Sequence, residues 1–161
     1  ERVPAARRRP PAVARPRGVH QAGAEHIDAL ARAYHDAGVE AECVAFIDDM
    51  AARYAWADFA IARGGALTVS ELAAVGLGAL IVPLPGAIAD EQTANADFLV
   101  RAGGAIRIAQ DELDAGRLAS LLSSLDRPKA LAMATAARAV GRTDATDRVA
   151  DACLEAAERK P

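Results

Sequence analysis

Two short apolar runs, residues 59–62 and 79–82, flank a segment over 66–75 with the spacing of a helix, a pattern that predicts a parallel βαβ unit. Upstream, a strand ends at Val19 after Pro16. Residues 24–37 then have a helical period through Ile27, Leu30, Ala31 and Tyr34, which Gly38 stops. Residues 42–46 read as a short strand, and Asp48 or Asp49 caps a helix running to about Tyr54. Downstream, a helix through Phe98, Leu99 and Val100 ends at Gly103 and Gly104, and residues 105–109 read as the last strand. Three helices close the chain: one marked by Leu118, Leu121, Leu122 and Leu125, one with Pro128 at its first position, and one over 144–158. This order predicts an α/β fold, a doubly wound parallel sheet with a helical C-terminal tail.

Ligands of such sheets sit at the carboxyl ends of the strands. Those ends carry Arg63-Gly64-Gly65 and Pro83-Leu84-Pro85-Gly86. Glycines without Cβ let backbone amides approach a bound group, and the helix that follows turns its unpaired N–H groups and positive dipole end the same way, which suits an anion. A tight strand-to-helix turn selects glycine as well. Glu71 could accept hydrogen bonds from vicinal hydroxyls, as acidic residues do with nucleotide ribose. Its alternative is the capping box Thr68-Val69-Ser70-Glu71, in which the carboxylate satisfies only the helix start. Gln92 and Asn95 share a helical face, and amides that both donate and accept suit sugar hydroxyls; a solvated face is the alternative. Asp48 and Asp49 fit helix capping better than metal or acid–base chemistry, and Trp56 fits packing better than stacking.

Composition narrows the class. With 161 residues and 52% hydrophobic content, the chain has enough apolar surface for a core; with aromatics at 4%, that core is built from Ala, Leu, Val and Ile. The net charge of −3 is uneven: residues 1–17 hold six arginines against Glu1, leaving 13 basic and 21 acidic groups beyond them. That Arg- and Pro-rich stretch reads as poorly ordered chain or a truncated first helix, with residues 18–161 as the ligand-binding domain. No aromatic residue is interleaved to stack on bases, which argues against nucleic acid as a partner. No initiator Met, signal peptide or apolar run of about 18 residues is present. Cys43 and Cys153 match no metal or redox spacing and fit reduced thiols of a cytosolic protein; His20, His26 and His35 form no ligand set, so no metal is expected.

Five segments in order carry a resemblance: His20 to Gly23, Phe46 to Ala51, Tyr54 to Asp58, Arg63 to Glu71, and Asp90 to Asn95. Together they resemble the donor-binding, C-terminal half of the MurG family, bacterial N-acetylglucosaminyltransferases that make lipid II for peptidoglycan. The resemblance spans residues 19–158. It implies one half of a two-domain glycosyltransferase-B fold that grips UDP-N-acetylglucosamine and needs no cofactor. It further implies that Ile47 meets the uracil through its backbone and Met50 borders the pocket. Ala66, Leu67, Thr68, Val69 and Ser70 would line the diphosphate and sugar, Glu71 would hold the ribose hydroxyls, and Gln92 with Asn95 would read the GlcNAc hydroxyls. The implied reaction is an inverting transfer of GlcNAc to lipid I, undecaprenyl-diphospho-MurNAc-pentapeptide, on the cytoplasmic face of the bacterial plasma membrane. The general base and the lipid-docking patch belong to the other half, so no catalytic residue is expected here, and the fragment alone is expected to be inactive. The family's first glycine-rich loop is also absent. Gly78, Gly86 and Glu91 depart from its usual residues.

Two other classes fit the same residues. One is a stand-alone nucleotide-sugar-binding module working with a separate acceptor subunit. The other is a structural fragment with an exposed sheet edge and no ligand competence. Intact Glu71, Gln92 and Asn95 favour the binding classes, whereas the absent loop favours the last.

Overall fold

A computed structural model of the chain describes residues 2–9, 16–87 and 90–158. In order, the elements are α1 (Arg2–Arg8), β1 (Val19–Gln21), α2 (Ile27–Asp36), β2 (Glu42–Val44), α3 (Met50–Trp56), β3 (Ala60–Ala62), α4 (Ala66–Val75), β4 (Ala79–Ile81), α5 (Glu91–Ala102), β5 (Ala105–Arg107), α6 (Ala115–Ser124), α7 (Arg127–Val140) and α8 (Ala145–Glu158). Every strand pairing is parallel, which fits the expected alternation of strands and helices. The chain divides into two compact units, Glu1–Ala57 with Ile108–Ala130, and Asp58–Arg107 with Leu131–Pro161.

In the first unit β1 pairs with β2, from Val19 opposite Glu42 to Gln21 opposite Val44. Val19 therefore opens its strand rather than ending it. Helix α2 starts at Ile27, three residues later than the periodicity predicts, because residues 24–26 form a turn. Leu30 and Tyr34 stand one helical turn apart and are buried with Val39, against Val3, Ala22 and Cys43. Pro4 is the third residue of α1, inside the first turn, where a missing N–H breaks no intrahelical bond. Asp114 caps α6 by accepting from the Arg117 amide at 2.7 Å, and Asp126 does the same for the Lys129 amide at 2.8 Å. Arg127 thus takes the first position of α7 and Pro128 the second, one later than expected. Trp56 packs at the surface: it is 44% exposed, with its ring 5.6 Å from the Arg17 guanidinium.

Arg7 is the buried polar residue of this unit, 5% exposed. Its Nη2 donates to the Glu40 carbonyl at 3.1 Å and to the Pro16 carbonyl, and the guanidinium lies 5.5 Å from the Tyr34 ring. Among the described residues, its Nε and Nη1 have no hydrogen-bond partner.

In the second unit β4 is the central strand between β3 and β5. Ala79, Leu80 and Ile81 are fully buried, as a parallel strand covered on both faces must be. Helix α4 buries Val69, Leu72 and Ala73, and α5 buries Ala96 and Leu99. Helix α8 buries none of its residues. Among the described residues no helix is long and apolar enough to cross a membrane.

Candidate functional site

The carboxyl ends of β3 and β4 lead into the loops 63–65 and 82–86 of one unit. Gly65 is the N-cap of α4, and its carbonyl accepts from the Val69 amide at 3.0 Å. The amides of Ala66, Leu67 and Thr68 are consequently those without an intrahelical acceptor, and they head the positive end of the helix dipole. This placement excludes the capping-box reading of the Thr68–Glu71 spacing. A capping box needs Thr68 at the N-cap, but Thr68 is the third helical residue and Glu71 the sixth. Leu67, Ser70 and Glu71 share the exposed face of α4, with Leu67 79% exposed, whereas the Val69 side chain is turned into the core at 4%.

Gln92 and Asn95, expected on one face of α5, both reach the Gly64 peptide. Gln92 Oε1 accepts from the Gly64 amide at 3.2 Å and from the Leu84 amide at 2.9 Å. Asn95 Nδ2 donates to the Gly64 carbonyl at 3.0 Å. Neither is a plain solvated residue: the two amides tie both strand-end loops to the head of α5. Arg63 was not singled out by its sequence signal, although it directly precedes the glycine pair. Its Nη1 donates to the carbonyls of Val82 and Pro83, at 3.2 Å each, so the ends of β3 and β4 are also joined by a cation.

Residues 12–149 match the glycosyltransferase family 28 C-terminal domain. The chain belongs to that family. It is 57% identical, over 97% of its length, to a protein of Azoarcus sp. (strain BH72) named UDP-N-acetylglucosamine--N-acetylmuramyl-(pentapeptide) pyrophosphoryl-undecaprenol N-acetylglucosamine transferase. It is 52% identical, over 98% of its length, to the Aromatoleum aromaticum protein of the same name. It spans 44% of the length of each of these relatives. The crystal structure of Acinetobacter baumannii MurG is similar at a TM-score of 0.89 and 36% identity, over 96% of this chain and 47% of that one. The MurG resemblance and the glycosyltransferase-B architecture it implies are thereby established.

Of the other residues that the family resemblance singles out, Ile47 and Met50 lie in the first unit, at the carboxyl end of β2 and the start of α3, and both are half-buried. Asp49 caps α3, accepting from the Ala52 amide at 2.9 Å, while Asp48 is exposed. The capping reading of this acidic pair therefore holds. Phe46 beside them is 68% exposed, a large apolar surface that the alternation of the strand did not reveal. His20 Nδ1 lies 3.1 Å from the Tyr34 hydroxyl, and burial, followed by nearby positive charge that includes Arg7, holds its pKa below the usual imidazole range. Both cysteines are free thiols, and among the described residues no three His, Cys, Asp or Glu side chains group as a metal site. Of the three departures from the family's usual residues, Gly86 has a local cause: its φ of +75° lies in the left-handed region that disfavours a side chain. Glu91, the first residue of α5, is exposed.

Proposed function

We propose that this chain is the donor-binding half of an inverting hexosyltransferase that moves GlcNAc from UDP-N-acetylglucosamine to lipid I, forming lipid II for peptidoglycan. The observation that carries the reading is the Gly64–Gly65 turn at the head of α4, where the Ala66, Leu67 and Thr68 amides have no intrahelical acceptor, with Glu71 on the exposed face of the same helix; such a helix start suits an anion. In this reading the amides of Ala66, Leu67 and Thr68 face the diphosphate and Ser70, on the exposed face of α4, completes the wall of the sugar pocket, while Val69, expected there by resemblance, is turned into the core. The Glu71 carboxylate accepts from the ribose hydroxyls. Because Gln92 Oε1 and Asn95 Nδ2 already serve Gly64, their other ends, Nε2 and Oδ1, are the atoms that turn to the GlcNAc hydroxyls. By resemblance to the family, Ile47 is assigned to the uracil through its backbone and Met50 to the border of the pocket.

No residue of this chain is assigned the proton from the acceptor. A general base in the remaining part of the full-length enzyme takes it as the MurNAc hydroxyl attacks the anomeric carbon from the face opposite UDP, and UDP leaves. The donor half holds the leaving group and stabilises the charge that develops on it. Lipid I and the cytoplasmic face of the plasma membrane are met through that other part.

Calorimetric titration of this chain with UDP-GlcNAc, with UDP-GalNAc as comparator and Glu71→Ala as control, tests the reading. The expected result is saturable binding that prefers GlcNAc and weakens by about 1.5–3 kcal/mol in the variant, the scale of hydrogen bonds to a charged group. A folded chain that binds neither nucleotide sugar overturns it.

A further inference from the structure

Gly64 is buried, and the two successive peptide groups that it joins are both held by side chains of α5: its N–H by Gln92 and its carbonyl by Asn95. The Gln92 oxygen also holds the Leu84 amide, so one side-chain acceptor fixes the loops after β3 and β4 together. Gly64 directly precedes Gly65, the N-cap of α4, so the backbone that these bonds hold runs straight into the first-turn amides. A ligand that gains most from a preorganised row of N–H groups is sensitive to how firmly that row is aimed.

We infer that Gln92 and Asn95 are positioning residues for the diphosphate of the donor, acting through the Gly64 peptide, in addition to any contact they make with the sugar. This inference rests on the donor-site reading above. It separates from a purely sugar-reading role by its reach: a residue that only reads GlcNAc hydroxyls is silent toward UDP, which has no sugar beyond its ribose. A residue that aims the α4 amides weakens UDP and UDP-GlcNAc alike.

The test is calorimetric titration of the wild-type chain, Gln92→Met and Asn95→Ser with UDP and, separately, with UDP-GlcNAc, each protein first shown folded by circular dichroism and a cooperative melt. Methionine keeps the length of Gln92 without its acceptor, and serine shortens Asn95 beyond reach of the Gly64 carbonyl. The expected result is a loss of UDP affinity of about five- to tenfold in each variant, the scale of one displaced hydrogen bond, with a UDP-GlcNAc loss at least as large. If Gln92→Met does not fold, Asn95→Ser carries the test. Wild-type affinity for UDP, with a loss confined to UDP-GlcNAc, overturns the positioning role and leaves the donor site standing. Absence of binding of either nucleotide to the folded wild-type chain overturns the donor site, and the positioning role with it.

Discussion

A Cβ built on Gly64 would lie 2.3 Å from the carbonyl oxygen of Gln92, closer than any side chain tolerates. The obstacle is backbone at the head of α5, which cannot swing aside as a flexible side chain would. Gly64→Ala is therefore expected to destabilise the chain by about 2 kcal/mol or more, the cost of overpacking a rigid contact. Gly65→Ala is the internal control, because its nearest neighbour is Thr68 Oγ1 at 3.9 Å and its φ of −63° suits alanine. Urea denaturation of the two variants should separate them clearly, with Gly65→Ala close to wild type. Equal destabilisation would show that the loop moves away from α5.

Arg7 gives a prediction of the opposite sign. Among the described residues, a guanidinium at 5% exposure keeps Nε and Nη1 without hydrogen-bond partners, while Nη2 donates to two backbone carbonyls. The desolvation cost of a buried charge exceeds what one bonded nitrogen and a ring contact return. Arg7→Met preserves the volume and removes the charge, and is expected to raise stability by about 1 kcal/mol, read as a higher denaturation midpoint at unchanged slope. A loss of stability would mean that the Tyr34 contact and the Glu40 bond outweigh desolvation.

The pH dependence of the first unit follows from His20. Its pKa is lowered from 6.5, with burial the leading cause. The folded state thus holds the imidazole neutral where the unfolded chain would protonate it. Above 6.5 both states are neutral and His20 contributes no pH slope; as pH falls from 6.5 toward the lowered folded value, the unfolded state takes up the proton and stability declines. Thermal melts of the wild type and His20→Gln between about pH 7.5 and pH 5, a span that crosses the ordinary imidazole range of the unfolded chain, should show a shallower decline for the variant. Parallel curves would mean that other groups carry the dependence.

The order of elements and the glycine turns were legible because they are local: strand runs, helical periods and the Asp49 cap lie within a few residues of one another. The family was legible for the same reason, since its motifs are contiguous. Sequence alone could not show that Gln92 would reach back 28 residues to Gly64, or that Arg63 would hold carbonyls 19 and 20 residues on. Those bonds depend on β3 and β4 lying side by side. The Glu71 ambiguity had a different origin: two overlapping start signals, Gly65 and Thr68, compete for one helix, and only the observed first turn decides between them. That Trp56 packs on the Arg17 guanidinium was not legible either, because the partner lies 39 residues away in the chain.

The acidic pair at the start of α3 offers a final discrimination. Asp49 accepts from the Ala52 amide at 2.9 Å, and Asp48, one residue earlier, is exposed. Two adjacent carboxylates with one function between them should respond unequally to removal. Asp49→Ala is expected to cost about 1 kcal/mol through loss of the cap, and Asp48→Ala no more than about 0.5 kcal/mol, as for an ordinary surface change. Asp49→Asn, which keeps a capping oxygen, should recover most of the loss, and denaturation midpoints of the three variants provide the measurement. Were Asp48→Ala to weaken UDP-GlcNAc binding while leaving stability intact, the pair would have a role in ligand binding that its capping geometry does not contain.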